Sequence, residues 1–219
     1  FYGWDYHGAY HIKHAESTYR WLVRNGYDSP VDSWDDYAAN RAPLTKTMRV
    51  GGQEVDFQVT LWWGQPGSET DPDTDAGGII LEDAMRASLK SDEIIIYSGH
   101  SGPWYGFALG NWRKTDEGDL DDSEVAGLDM PDKYQIVLAE GCDTYALGEA
   151  FWANPAKADE KNLDIITTTS FSNASTSATV TDFLGAMMKD NGEGALEPVK
   201  YSTLLKDLDS NSTWFDTMY

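Results

Sequence analysis

Residues 92–102 read DEIIIYSGHSG, and residues 134–145 read YQIVLAEGCDTY. Each opens as a short run of large apolar side chains and ends abruptly in small residues. That is the pattern of a short strand buried on both faces. The first run delivers His100 just past its end, and the second delivers Cys142. Outward from these strands the periodicity changes to that of helices. Helical spacing is predicted for HAESTYRWLVRNGYD (14–28, with Gly26 as the stop), IILEDAMRASLK (79–90), ALGEAFWAN (146–154) and TVTDFLGAMMKD (179–190). A hairpin is predicted across Gly51-Gly52, and a further strand over LDIITTTSFS (163–172). YSTLLKDL (201–208) reads as a weak helix, and residues 28–47 as irregular. Short apolar strands alternating with helices predict an α/β three-layer sandwich with a mainly parallel central sheet. In such sheets ligands bind beyond the carboxyl ends of the strands.

Composition narrows the function. The chain has 219 residues, within the range of a single domain with a sizeable core, so 1–219 is read as one domain. Apolar residues make up 41%, which excludes a disordered chain. No apolar run approaches the roughly 18 residues of a membrane span, so no membrane partner is expected. The net charge of −21 speaks against nucleic acid, which needs clustered Lys and Arg. The same charge attracts cationic peptides or metal ions, or is simply a solvated acidic surface. One thiol and strong acidity are compatible with a secreted or periplasmic bacterial protein, and equally with a salt-adapted cytoplasm. The chain begins with Phe1, which reads as a processed product or a cut fragment.

If the two strands are neighbours in a parallel sheet, His100 and Cys142 emerge on the same edge, with adjacent strands about 4.8 Å apart. A thiolate is the nucleophile, and a nearby imidazole takes its proton and later protonates the leaving amine. Gly99, Gly102 and Gly141 leave room for a substrate backbone. Alone, His100 reads as a satisfied strand-end histidine and Cys142 as a buried filler. Their matched contexts favour the reactive pair.

Hydrophobic block, His, spacer, hydrophobic block, Cys resembles the caspase-like cysteine peptidases, which include caspases, metacaspases, legumains, gingipains and clostripain. The resemblance covers residues 1 to about 190, and its specific motifs are the two quoted above. It implies a caspase-haemoglobinase-like fold and a cysteine endopeptidase with a His100–Cys142 dyad. The oxyanion hole would come from the backbone N–H of Cys142 and one from the Ser101–Gly102 turn. It implies no cofactor for catalysis, a peptide or protein substrate, and a zymogen-like origin. No first strand is visible before the first helix. It is expected upstream of Phe1, on a fragment of the same precursor that would act as a partner. Two positions depart from the group: Ser101 follows the histidine where Gly is usual, and Gly141 and Asp143 flank the cysteine in place of the caspase signature. These departures keep open a caspase-like binding module without catalysis.

By the same resemblance, the N-terminal segment lines the pocket for the residue before the scissile bond. Asp5 would select Arg or Lys through a charge-assisted pair, with Trp4, His7 and His11 shaping the wall; the alternative is a helix-capping Asp5 among packing residues. Ser170 and Phe171, in TTTSFSNAS (167–175), are expected to contact substrate. His7, His11 and His14, at spacings of four and three, would fall within about 60° on one helix. They offer a metal site and with it a metal-dependent hydrolase. Asp71, Asp73, Asp75 and Glu82 occupy places 1, 3, 5 and 12 of a calcium-loop pattern, with Ala76 where Gly is usual. Either a structural Ca²⁺ site or a solvated loop is expected there. TDEGDLDDSE (115–124) reads as an exposed linker.

Overall fold

Ile94–Ser98 is rich in β-branched residues, and Gly99 ends the run before a helix can form. The same logic gives Gln135–Glu140, which ends at Gly141, and Leu163–Thr167 is a third β-branched run. In the computed structural model, which describes residues 1–101, 106–158, 161–172, 176–210 and 219, these three strands form one parallel sheet. The elements run in chain order as α1 (Tyr10–Arg24), α2 (Trp34–Asn40), β1 (Leu44–Val50), β2 (Gln53–Val59), α3 (Asp75–Ser91), β3 (Ile94–Ser98), β4 (Phe107–Ala108), β5 (Asp119–Leu120), α4 (Asp122–Gly127), β6 (Gln135–Glu140), α5 (Ala146–Ala153), β7 (Leu163–Thr167), α6 (Ala178–Met187) and α7 (Tyr201–Asp209). The architecture is α/β, with strand order β3-β6-β7 in the parallel sheet.

The chain divides into two compact units where the sequence reads as one domain. The first comprises Phe1–Ile12 and Trp62–Ser175 and carries the parallel sheet. Ile95, Tyr97, Val137, Ala139 and Leu163 pack with Leu81, Met85 and Leu89 of α3 and Leu147 and Phe151 of α5 in one core. The strand residues follow the period of two and the α3 residues a period of four, so each element turns one apolar face inward. At about 25 cal/mol per Å², burying each of these Leu or Ile side chains contributes roughly 1.5–3 kcal/mol. α3 starts four residues before the predicted helix, because Thr74 caps it by accepting the Gly77 N–H at 3.1 Å. A Cβ at Gly77 would lie 2.0 Å from the Asp71 carbonyl oxygen, so only glycine admits this approach.

The first residues of the chain run alongside β3 through isolated bridges. Tyr2 bridges in parallel to both Ser98 and Trp63, which extends the parallel arrangement beyond β3. The Gly3 N–H donates to the Ser98 carbonyl at 2.9 Å, and the Ser98 N–H donates to the Phe1 carbonyl at 2.9 Å. Residues 115–124 are more ordered than an exposed linker. Leu120 is fully buried, and Glu124 accepts the Asp121 N–H at 2.9 Å at the start of α4.

The second unit comprises Lys13–Leu61 and Thr176–Thr217. Its hairpin turns at Gly51 (φ 58°) and Gly52 (φ 86°), the two positive values a type I′ turn requires. α2 lies inside the segment read as irregular. Its seven residues are too few for a periodic signal, and Ser33 caps it. α1 passes from the first unit into the second and closes on Gly26, as predicted. No described helix is long and apolar enough to cross a membrane.

Candidate active site

Strand register places His100 and Cys142. In the parallel pairing of β3 with β6, Ser98 lies opposite Glu140, and His100 and Cys142 each lie two residues further on. The Gly99 N–H donates to the Glu140 carbonyl at 3.1 Å and carries the pairing one step beyond the strands. A Cβ at Gly141 would stand 2.8 Å from the Gly99 carbonyl oxygen and from Ser101 Cβ. Glycine at 141 therefore lets the two strand ends lie side by side. Both His100 and Cys142 are half-buried.

Beyond Cys142 the chain turns sharply into α5. Asp143 adopts a left-handed conformation (φ 52°), costly for most side chains but tolerated by Asp. The turn is fastened to the end of β7: Asp143 N–H donates to Ser170 carbonyl (3.1 Å), and Tyr145 N–H to Thr168 carbonyl (3.0 Å). The buried Thr144 hydroxyl donates to the Ala139 carbonyl at 2.6 Å and accepts the Thr168 N–H at 2.8 Å. Burial pushes the Cys142 thiol up, the charges of Asp143 and Glu140 add to that, and a backbone hydrogen bond from Ser172 opposes it. These surroundings favour the thiol over the thiolate.

His100 lies at the end of the neighbouring strand. Burial pulls its pKa down, Asp5 pulls it up, and His7 and Arg113 add to the lowering, so it is neutral near pH 7. Its Nε2 lies 3.3 Å from Asp5 Oδ1. Its carbonyl accepts the Tyr97 hydroxyl at 2.5 Å, which fixes the backbone at the strand end. Asp5 itself is 5% exposed in its side chain. Burial pushes this carboxyl up, but the N–H groups of Tyr10, Gly8 and His7, donating to Oδ2 at 3.0–3.2 Å, outweigh it and hold the group below the usual carboxylate range. Tyr10 opens α1, so Asp5 also serves the helix start. Oδ2 is thus engaged by its own loop, as in the helix-capping alternative, while Oδ1 faces His7 and His100.

The other predicted residues divide between the strand ends. His7 lies beside Asp5, with Nδ1 3.3 Å from Oδ1. His11 is buried behind it and accepts the Asp5 N–H at 3.2 Å. Trp4 packs edge-on to Trp112 at 4.8 Å. Ser170 joins the Cys142 turn through its carbonyl, and Phe171 is 60% exposed. Ser101 donates its hydroxyl to the Gly106 carbonyl at 2.8 Å, while Gly102 lies outside the described residues.

Two metal expectations are corrected. His7, His11 and His14 do not share a helix, because α1 begins at Tyr10 and leaves His7 in the preceding turn. Asp71, Asp73, Asp75 and Glu82 do not converge as a calcium loop. Asp71 accepts the N–H groups of Gly67 and Asp73, Asp73 pairs with Lys114 at 2.5 Å, Asp75 accepts the Thr115 hydroxyl, and Glu82 pairs with Arg86. Asp75 and Glu82 stand two turns apart on α3, about 10 Å along its axis. Among the described residues, the group whose ligand atoms lie within 4.8 Å of one another is instead Asp5, His7 and His100.

Sequence reasoning missed three contributors. Tyr6 stacks on His100 at 4.9 Å with 16° between planes, and Trp112 meets the same imidazole edge-on at 5.4 Å. Neither carried a motif. Glu140 did carry a signal, as a carboxylate at the end of an apolar strand. It is 4% exposed, accepts from Ser98 and Ser172, and burial drives its pKa to about 7 against the pull of those two hydroxyls. Comparison with protein-family models, curated proteins and solved structures gave no match to this chain.

Proposed function

We propose that this chain is a cysteine endopeptidase whose parallel sheet is the centre of a caspase-haemoglobinase-like three-layer sandwich. The observation that carries the reading is the register: His100 and Cys142 lie at equivalent positions beyond two adjacent parallel strands. His100 removes the thiol proton, and the Cys142 sulfur attacks the scissile carbonyl carbon. The resulting oxyanion is held by the backbone N–H groups of Cys142 and Ser101. The tetrahedral intermediate collapses as His100 passes its proton to the departing amine, leaving a thioester on Cys142. Water, deprotonated by His100, then hydrolyses the thioester and restores the thiol.

Asp5 is a positioning residue in this scheme. Its Oδ1 faces Nε2 of His100, which leaves Nδ1 as the nitrogen available to the thiol. It also stabilises the imidazolium formed when the proton moves. A basic residue before the scissile bond is favoured by the net charge of −21 rather than by Asp5.

The test is covalent and kinetic. A peptide ketone electrophile should add once to the wild-type chain by intact mass and not at all to Cys142→Ala. His100→Ala should slow that addition by about 10²–10⁴-fold. Cleavage of a panel of Arg, Lys, Asp and Asn peptides should vanish in Cys142→Ala. Undiminished cleavage in that variant removes the nucleophile, and unreactive Cys142 in the wild type leaves a binding module.

A further inference from the structure

We propose that Asp5, His7 and His100 form a zinc site with one open coordination position, and that the bound ion withdraws His100 from base duty. The binding claim stands on geometry alone; the inhibitory consequence rests on the peptidase reading.

Asp5 Oδ1 lies 3.3 Å from His7 Nδ1 and 3.3 Å from His100 Nε2. These separations are long for hydrogen bonds, whose N···O distances centre on about 2.9–3.0 Å. They match the edge of a zinc tetrahedron, because bonds of roughly 2.0–2.1 Å at the tetrahedral angle set ligands about 3.3–3.4 Å apart. An octahedral ion with bonds of about 2.1 Å would need about 3.0 Å. All three ligand atoms lie within 4.8 Å of one another. The remaining His7–His100 edge closes by rotation of His7, whose side chain is 53% exposed. Donor chemistry agrees, since two imidazoles and one carboxylate suit zinc and leave its fourth position to water.

The surroundings are divided. Asp5 Oδ2 is saturated by three backbone N–H groups, so Oδ1 is fixed in place and aimed at both imidazoles. Such outer hydrogen bonding orients a ligand carboxylate. Tyr6 covers both rings, at 3.9 Å from His7 and 4.9 Å from His100. The Arg113 guanidinium, 4.2 Å over the Tyr6 ring, is a positive charge that opposes the ion. Zinc on Nε2 draws electron density from the imidazole and lowers the basicity of Nδ1. Metal binding and proton removal from Cys142 thus compete for one ring.

The experiment uses the tag-free chain stripped with chelator. Equilibrium dialysis against ZnCl₂, read by atomic emission, should give one zinc per chain. Co²⁺ should give the visible bands of a tetrahedral site. His7→Ala and His7→Gln should each weaken binding by at least about 100-fold, more than loss of an outer-shell partner costs. Arg113→Gln should tighten it. Unchanged zinc affinity in both His7 variants, or no binding by the wild type, overturns the site. Peptidase activity in zinc, relative to each protein's own activity in chelator, should fall for wild type and hold for His7→Ala. Activity that requires zinc overturns the inhibitory role. Zinc binding with no peptidase activity under any condition sinks the peptidase reading and leaves the site standing.

Discussion

Replacing Glu140 with glutamine should make stability less dependent on pH. This carboxyl is fully enclosed, and burial raises its pKa from 4.5 to about 7 against the lowering effect of Ser98 and Ser172. Below pH 4.5 both folded and unfolded chains hold the proton, so the group contributes no pH dependence. Between 4.5 and 7 the unfolded chain releases it while the folded chain keeps it. Stability then falls by about 1.4 kcal/mol per pH unit, because the native state binds more protons. Across the window the loss is on the order of 3 kcal/mol. Glu140→Gln keeps the shape and an acceptor oxygen but has no proton to lose. Urea unfolding of both proteins from pH 4 to pH 8 gives the comparison as a difference curve. Asp119, also raised to about 7 by burial, acts equally in both proteins and cancels. The difference should be level below pH 4.5, rise in favour of the variant, and plateau near 3 kcal/mol above pH 7. A difference that stays flat, or that favours wild type at pH 8, refutes the buried-carboxyl account.

Three further outcomes are expected. Asp5→Asn, assayed in chelator, should lower kcat by roughly 10²–10⁴-fold with little change in KM, because it misplaces an imidazole without touching substrate; an equal change in both constants removes the positioning role. Gly141→Ala should cost about 1–3 kcal/mol by thermal melting, since its Cβ would meet the Gly99 carbonyl oxygen at 2.8 Å. A wild-type melting temperature would show that the strand ends are not packed as described. Tyr97→Phe should cost roughly 1–3 kcal/mol, because the hydroxyl donates its one proton to the His100 carbonyl and accepts the Ala108 N–H. It should also loosen His100, readable as broadening of that imidazole's NMR signal.

The parallel sheet was legible because β3 and β6 each hold a short apolar run closed by one polar residue and then glycine, a signal carried within a few adjacent residues. α3, α5 and α6 were legible for the same reason at helical period. What escaped depended on partners distant in sequence. Tyr2 is recognisable as a strand residue only when Ser98 and Trp63 are already on either side of it. Asp5 read either as a substrate-binding carboxylate or as a helix cap; its Gly8 and Tyr10 partners are local, and only the fold brings His100 to it. The calcium pattern failed because spacing along a chain measures a loop only while the chain is a loop. Once Thr74 starts a helix, Asp75 and Glu82 are carried apart along its axis.

The alignment of β3 with β6 has a consequence for how damage to the protein would present itself. In a parallel sheet, sliding one strand by a single residue turns every side chain to the opposite face. Such a slip would carry the imidazole away from the sulfur while sparing much of the backbone pairing. On the peptidase reading, a preparation containing slipped molecules would titrate with fewer reactive thiols per chain, yet every responsive molecule would turn over at the normal speed.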